Sequence, residues 1–400
     1  MHDAQGILIE RLGQDGDGIA GETRIPGALP GEVWSIEPPA LLRGASQARV
    51  EPKCPLFGSC GGCSLQHASP SFLAAWKGDV IARALLAHGL ETEIQPTRMS
   101  LPWSRRRAGL SARRTKKTVR VGFHARRSEE IVPLTTCEVV EPAILASIPV
   151  LERLTVIAAP RAREIRIQVT HGPAGLDVDL RETKELDGKA RADLAALARD
   201  AGIARLSLAG ETLFLAHPPI QQIGRARVVP PPGAFLQATQ QGEAALTDAV
   251  REIVGEARRV VDLFSGCGTF ALPLAEGAEV HAVEGAADLT GALDRAWRGA
   301  TGLKRVTTEV RDLFRRPLMA DELDRFDAVV MDPPRAGAEA QSAEIARSRL
   351  STLAYVSCNP ATFARDAAVL VASGFRLEWV RPVDQFLWSG HVELVAHLVR

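Results

Sequence analysis

Cys358 and Glu393 are the residues with the clearest chemical use. TLAYVSCNP reads as a short apolar strand, and Cys358 stands at its end, directly before Asn359-Pro360. The carboxyl edge of an open α/β sheet is where such folds bind ligands. A sharp turn at Asn-Pro there can expose the sulfur. The thiolate is the nucleophilic form, so a locally polar site is expected to lower this pKa. Glu393, in GHVELV, is the candidate base beside it. The alternative for a lone strand-end cysteine is a packed core residue.

VVDLFSGCGTF, residues 260–270, is a strand running into a glycine-bearing turn. Gly266 and Gly268 let backbone approach a ligand at the strand's carboxyl end. The spacing is neither GxGxxG nor a P-loop. A second strand ends in Glu284, placed to accept two ribose hydroxyls, and a third, RVTTEVRD, ends in Asp312, placed to meet an adenine edge. With Asp262 and Asp332, four strand ends carry carboxylates in series. Such a site suits an adenosyl ligand without phosphates, such as S-adenosylmethionine. The alternative is a glycine turn that merely joins strand to helix.

A thiol beside a methyl donor has a defined use. Carbon 5 of uracil is a poor nucleophile until a thiolate adds to carbon 6 and makes the ring an enolate. Carbon 5 can then attack a sulfonium methyl, and a base must remove its proton before the thiolate leaves.

A second chemistry is written in CPLFGSCGGC. Cys54 and Cys60 are separated by five residues, Cys60 and Cys63 by two, in a chain of only six cysteines. A zinc ribbon normally shows two close pairs. Three near ligands need a distant fourth, for which Cys137 in PLTTCEVVEP is the free candidate. Three-plus-one thiolate ligation suits a four-iron cluster. Zinc stays open as the alternative, and a disulfide is disfavoured in a cytoplasmic protein. The spacing is not the CxxxCxxC of radical enzymes.

These groups need elements to hold them. The chain has 400 residues, 46 % apolar and 24 % charged, with zero formal net charge. That size allows two or three domains. No apolar run approaches the roughly 20 residues of a bilayer span, and the N-terminus does not read as a signal peptide, so the expectation is a cytoplasmic protein without a membrane partner. Residues 1–48 alternate short apolar runs with glycine-rich turns, which predicts a small β-barrel. Residues 49–225 read as a β-rich α+β domain, with an amphipathic helical stretch at 70–95 that is expected to pack on the catalytic domain. VVPPPGAF marks a boundary. Residues 226–400 have the strand–helix rhythm of a Rossmann-like parallel sheet.

A neutral chain can still carry a local nucleic-acid footprint. The run from Trp103 to Arg127 holds many Arg and Lys and no carboxylate. Arg105, Arg106, Arg107, Arg113 and Arg114 are candidate phosphate contacts, while Phe123 and His124 could stack on unpaired bases. The alternative is a solvated charged face.

DLFSGCGTF, MDPPRAG, VSCNPATFARD and DQFLWSGHVELV resemble the RNA (uracil-5-)-methyltransferases. With GQDGDGIA and CPLFGSCGGCSLQHA at the front, the chain is most similar to the iron-sulfur branch that modifies 23S ribosomal RNA. The resemblance implies Cys358 as nucleophile and Glu393 as base. It implies a class I methyltransferase fold in which Gln237, Phe264, Gly266, Thr269, Glu284, Asp312 and Asp332 line the S-adenosylmethionine and uracil pocket. It also implies a [4Fe-4S] cluster on Cys54, Cys60, Cys63 and Cys137, and a TRAM barrel that grips RNA. A monomer acting on 23S rRNA is expected. Transfer RNA is the rival substrate, and a non-catalytic assembly factor the rival class. Thr239, Leu387 and Trp388 depart from the family's usual residues near the target base.

Overall fold

The computed structural model describes residues 6–400; the first five residues of the expected barrel lie outside them. The front of the chain forms two three-stranded antiparallel sheets. One joins Ile7–Leu8, Val33–Ser35 and Ala40–Arg43; the other joins Arg11–Leu12, Asp17–Ala20 and Thr23–Pro26. Ile9, Ile25 and Ala28 form their small core. The Glu32 carboxylate is buried at its base and accepts from Leu29 and Ser46 N–H, the Trp34 indole and the Arg49 guanidinium. Burial works to raise its pKa, but these donors hold it down at about 2.

A seven-stranded sheet follows, in the order Ile131–Pro133, Val119–His124, Arg107–Arg114, Glu164–Gly172, Gly175–Arg181, Arg205–Leu208, Glu211–Leu215. Gly175–Arg181 and Arg205–Leu208 are parallel, as the intervening helix Gly188–Asp200 requires. Helix Ile148–Ala158 packs with it in the same apolar core. The sequence does not announce that helix, because Val150, Thr155, Val156 and Ile157 are β-branched and favour a strand reading.

The last domain is a nine-stranded sheet. Val306–Val310, Glu279–Glu284, Arg259–Leu263, Ala328–Met331 and Thr352–Ser357 run parallel in that spatial order. Glu393–Val399 and Arg376–Asp384 continue it antiparallel. The reversal of chain order falls between Arg259–Leu263 and Ala328–Met331, the position at which such sheets open a ligand crevice.

The domain limits differ from the sequence reading. Glu93–Ile94 and Arg98–Met99 add to the edge strand Arg376–Asp384 of this last sheet. Helix Pro70–Leu86 shares its apolar core, with Leu73, Trp76, Val80 and Ile81 packed in one cluster with Phe363 and Leu370. Residues 70–99 therefore belong structurally to the last domain. No helix among the described residues is long and apolar enough to cross a membrane.

That helix also fixes the segment between the final two strands. Lys77 is wholly buried, its ammonium 2.6 Å from Asp384 and donating to the carbonyls of His391 at 2.7 Å and Phe386 at 3.3 Å. One cation thus ties down both ends of the 384–391 loop. Lys77→Met is expected to leave the Asp384 charge buried and unpaired, at a cost of about 3–5 kcal/mol. Urea unfolding of the variant measures this; an unchanged midpoint would show that the pair contributes nothing.

Candidate active site

The turn after Arg259–Leu263 is built for close approach. Phe264, Gly266 and Gly268 have φ of 61°, 54° and 94°. A Cβ on Gly268 would stand 2.9 Å from Leu272 and Leu293, so this position needs glycine for packing as well as conformation. At Gly266 a Cβ would meet nothing within 4 Å, because the backbone faces open space. The Glu284 carboxylate locks the turn, accepting the N–H of Gly266 at 2.9 Å and of Ala286 at 3.0 Å.

That open space is a cavity of about 490 Å³. Gln237, Phe264, Gly266, Thr269, Glu284 and Asp312 all line it. So do Asp332, Cys358 and Glu393, which places every expected nucleophile, base and cofactor-pocket residue around one space. Asp312 lies two residues beyond its strand, which ends at Val310. Asp262 does not join the lining; it is fully buried and its carboxyl oxygens have no hydrogen-bond partner. Burial first, then Asp332 and Glu284, push its pKa well up.

Cys358 follows strand Thr352–Ser357 and precedes helix Pro360–Ala372. Asn359 caps that helix, accepting from the Ala361 N–H at 3.1 Å, and donates its amide to the Arg335 carbonyl at 2.9 Å. The expectation of a lowered thiol pKa does not hold. Burial raises Cys358 to about 11, with Glu393 and Asp332 adding to the rise and Arg335 opposing it. Glu393 is pushed up to about 8 by burial and then by Asp332, and burial holds Asp332 at about 7. The resting site is a protonated thiol facing two reluctant carboxylates.

Gln385 went unnoticed in the sequence. Its side-chain amide donates to Glu393 and, at 2.6 Å, to the side-chain oxygen of Gln237, while its own oxygen accepts the Thr239 N–H. It joins Glu393 to the far wall of the pocket. The departure Thr239 has its own work. It caps helix Gln240–Val254 through Gly242 N–H and meets Ser100 at 2.8 Å. Trp388 packs against both large cores, and its carbonyl accepts the N–H groups of Ser64 and Leu65. Phe235 and Phe314 also line the cavity and are 57 % and 49 % exposed, with Phe314 5.5 Å from Phe264.

The basic run needs correction. Arg106 is buried, ion-paired with Glu243 at 2.6 Å and donating to the Gln237 carbonyl; it cannot meet a phosphate without unfolding its surroundings. Arg105 lies over the Phe386 ring and Arg107 over Phe235. Arg113 faces Glu164, and Arg114 donates to the Ala159 carbonyl. The run lacks carboxylates of its own, but partners arrive from distant segments. Arg126 and Arg127 pair with Asp17 of the front sheets. The cationic surface that remains is a groove of about 860 Å³ at the junction of all three parts. Arg105, Arg126, Arg127 and Arg335 line it, with Phe123 and Phe386 between them. Arg335 borders both this groove and the Cys358 cavity. His124, expected to stack, is instead bonded to Glu164 at 3.0 Å.

Cys54, Cys60, Cys63 and Cys137 surround one small cavity, walled by Phe57, Phe123 and Arg105. Backbone N–H groups of Gly62 and Val139 point at the sulfurs of Cys60 and Cys137, each at 3.4 Å. Burial, then the neighbouring thiols, raise Cys60 and Cys137; Cys63 reaches about 12, against a hydrogen bond with Gln66. Among the described residues, no three His, Cys, Asp or Glu side chains are gathered as a site for a metal ion. The donor set itself, four thiols around one space with N–H groups aimed at two of the sulfurs, is of the kind that binds as thiolates.

A sequence profile of the tRNA (uracil-5-)-methyltransferase family matches residues 231–400. An uncharacterized RNA methyltransferase of Rhizobium meliloti is 45 % identical, over 98 % of both chains. The 23S rRNA (uracil(1939)-C(5))-methyltransferase RlmD of Chromohalobacter salexigens is 33 % identical over 99 % of this chain and 90 % of its own length. Among solved structures, the Pyrococcus abyssi tRNA (uracil-54, C5)-methyltransferase in complex with S-adenosyl-L-homocysteine superposes with a TM-score of 0.79. It is 24 % identical, covering 99 % of this chain and 100 % of that one, and so shows the shared fold. A thiol, a buried carboxyl group and a glycine turn around one cavity, in a chain related end to end to such enzymes, make the conclusion plain: it belongs to the S-adenosylmethionine-dependent RNA (uracil-5-)-methyltransferases.

Proposed function

We propose that this enzyme methylates carbon 5 of a uridine in 23S ribosomal RNA through a transient bond between Cys358 and carbon 6 of the base. The observation that carries the reading is the shared cavity of Cys358, Glu393 and the Gly266 turn, opening beside an arginine-lined groove. S-adenosylmethionine, bound against Phe264, Gly266 and Glu284, supplies an electrophilic methyl group on a positively charged sulfur. The Cys358 thiolate adds to carbon 6, and the double-bond electrons move to carbon 5 and the carbon 4 carbonyl. Carbon 5 takes the methyl group as the methyl–sulfur bond breaks, its electron pair staying on the sulfur of the departing S-adenosylhomocysteine. Glu393 then accepts the carbon 5 proton, the double bond re-forms, and the thiolate leaves. Gln385 holds Glu393 toward the ring, and the uridine must leave its stack to enter. The groove carries the phosphate contacts, with the front β-sheets, read as a TRAM barrel, as one wall.

The likeness to RlmD supports ribosomal RNA, and the family profile keeps transfer RNA as the second reading. The assay uses labelled S-adenosylmethionine with 5-fluorouridine transcripts of 23S fragments and, separately, of tRNAs. With fluorine at carbon 5 there is no proton to remove, so a denaturation-resistant protein–RNA band is expected on the 23S fragment. A band on tRNA alone would transfer the assignment, and methylation without any band would exclude the thiol route.

Cys54, Cys60, Cys63 and Cys137 are the proposed ligands of a [4Fe-4S] cluster, supported by their common cavity and the N–H groups aimed at sulfur. Anaerobically purified protein is expected to be brown and to contain about four irons per chain. Colourless protein with one zinc and no iron would replace the cluster by zinc.

A further inference from the structure

A second cavity, of about 480 Å³, opens between the front sheets and the cysteine loop. Its walls include Trp34, Arg49, Phe57 and His67. His67 is 2 % exposed, yet among the described residues neither ring nitrogen has a hydrogen-bond partner. Leaving both unpaired is costly in a folded protein. Its ring lies 5.7 Å from that of Phe57. Burial, and then Arg49, push its pKa down to about 4. At neutral pH the imidazole is therefore uncharged and offers one donor and one acceptor.

The cavity's charge narrows the ligand. Among the described residues Arg49 is the one cation in the wall, and its charge is paired with Glu32 through Nε and Nη2, the latter also donating to the Gly27 carbonyl. What it presents is a flat guanidinium 5.6 Å over the Trp34 ring. Glu51 adds a negative charge to the lining. A phosphate finds no unpaired cation here among the described residues. A flat, uncharged heteroaromatic ring with its own donors and acceptors finds aromatic faces and the His67 nitrogens.

The site also adjoins the RNA path. Phe57 is shared with the cysteine cavity, and Phe123 is shared between that cavity and the arginine groove. Arg126, a groove residue, is near enough to act on the His67 charge.

We propose that this cavity receives an unpaired nucleobase of the substrate RNA, stacked on Trp34 and hydrogen-bonded to His67, as a second anchor apart from the uridine bound near Cys358. The inference rests on the RNA reading above. It would let the enzyme choose its target by the position of two unstacked bases rather than one.

The test replaces unpaired purines of a substrate fragment, one at a time, with 2-aminopurine. One position is expected to lose fluorescence on binding wild-type protein, and to keep it with Trp34→Ala. Trp34→Ala and His67→Phe should each weaken RNA binding about tenfold or more, the size of one lost base stack. S-adenosylmethionine affinity, measured on the same preparations, reports the fold. Trp34→Phe and His67→Gln should recover part of the RNA affinity by restoring a ring or a donor and acceptor. Wild-type RNA affinity in both disruptive variants, with no quenched position, would overturn the pocket while leaving methylation intact. Absence of RNA methylation by wild-type protein would instead remove the RNA reading itself.

Discussion

Cys358→Ala protein is expected to bind S-adenosylmethionine normally and to show no measurable methyl transfer. Loss of a covalent nucleophile costs on the order of 10⁶-fold where all other groups act through it. Serine should do little better, since its hydroxyl ionises far less readily than a thiol. Affinity for S-adenosylmethionine should persist because the Gly266 turn is held by Glu284 and the backbone, not by the sulfur. A Cys358→Ser variant with turnover near wild type would remove the covalent route. The same site sets a pH dependence whose sign is fixed. On the proposed route Cys358 must lose a proton to attack and Glu393 must be ionised to accept one, yet burial holds them at about 11 and about 8. The competent form is scarce at neutral pH, so kcat/KM should rise with pH between 6 and 9. The apparent values belong to the coupled set that includes Asp332. Stability runs the other way. Asp332 and Glu393 keep their protons in the folded state to about pH 7 and 8, above the range in which unfolded carboxyls release theirs. The native chain therefore binds more protons across roughly pH 4.5–8, and stability falls as pH rises through that window. A flat kcat/KM profile from pH 6 to 9 would mean that these protonations do not limit the reaction.

What could be read from sequence is what short-range pattern controls. Cys358 sits after an apolar strand and before Asn-Pro, and that local grammar fixes both its strand edge and its helix cap. The glycine turn and Glu284 obey the same local logic. Apart from the helix Ile148–Ala158, whose β-branched residues mislead locally, the misreadings turn on partners far along the chain. Arg106 looked like surface because Glu243 is 137 residues away, and the strand alternation that buries it also buries Ala108. The polarity of the Cys358 segment shows neither the burial that mainly raises its pKa nor Glu393 and Asp332, which arrive from other strands and add to the rise. Gln385 is one polar residue in a loop, and only the packing of that loop against Gln237 gives it work. Residues 93–99 are too short to read as strands at all, and they become so only by pairing with Arg376–Asp384.

Glu393→Gln should convert the enzyme into a trap. Glutamine keeps the volume of the side chain and can still bond to Gln385, so the site retains its shape. Cys358 can add to carbon 6 and carbon 5 can receive its methyl group, but nothing then removes the carbon 5 proton. The thiolate cannot leave, and a methylated protein–RNA complex should accumulate, stable to denaturing gel electrophoresis. Turnover should fall by about 10²–10⁴-fold, the usual contribution of a positioned base. Two controls decide what the band means. Cys358→Ala combined with Glu393→Gln must abolish it, because the bond is to that sulfur. Asp332→Asn must not reproduce it if Glu393 is the base. Asp332 is the natural competitor, a buried carboxyl at about pKa 7 in the same cavity, raised by burial alone and titrating closer to neutrality than Glu393 does. If the trap appeared with Asp332→Asn and not with Glu393→Gln, proton removal would pass to the strand-end aspartate, and Glu393 would be left with the task of holding Gln385 and the far wall in place.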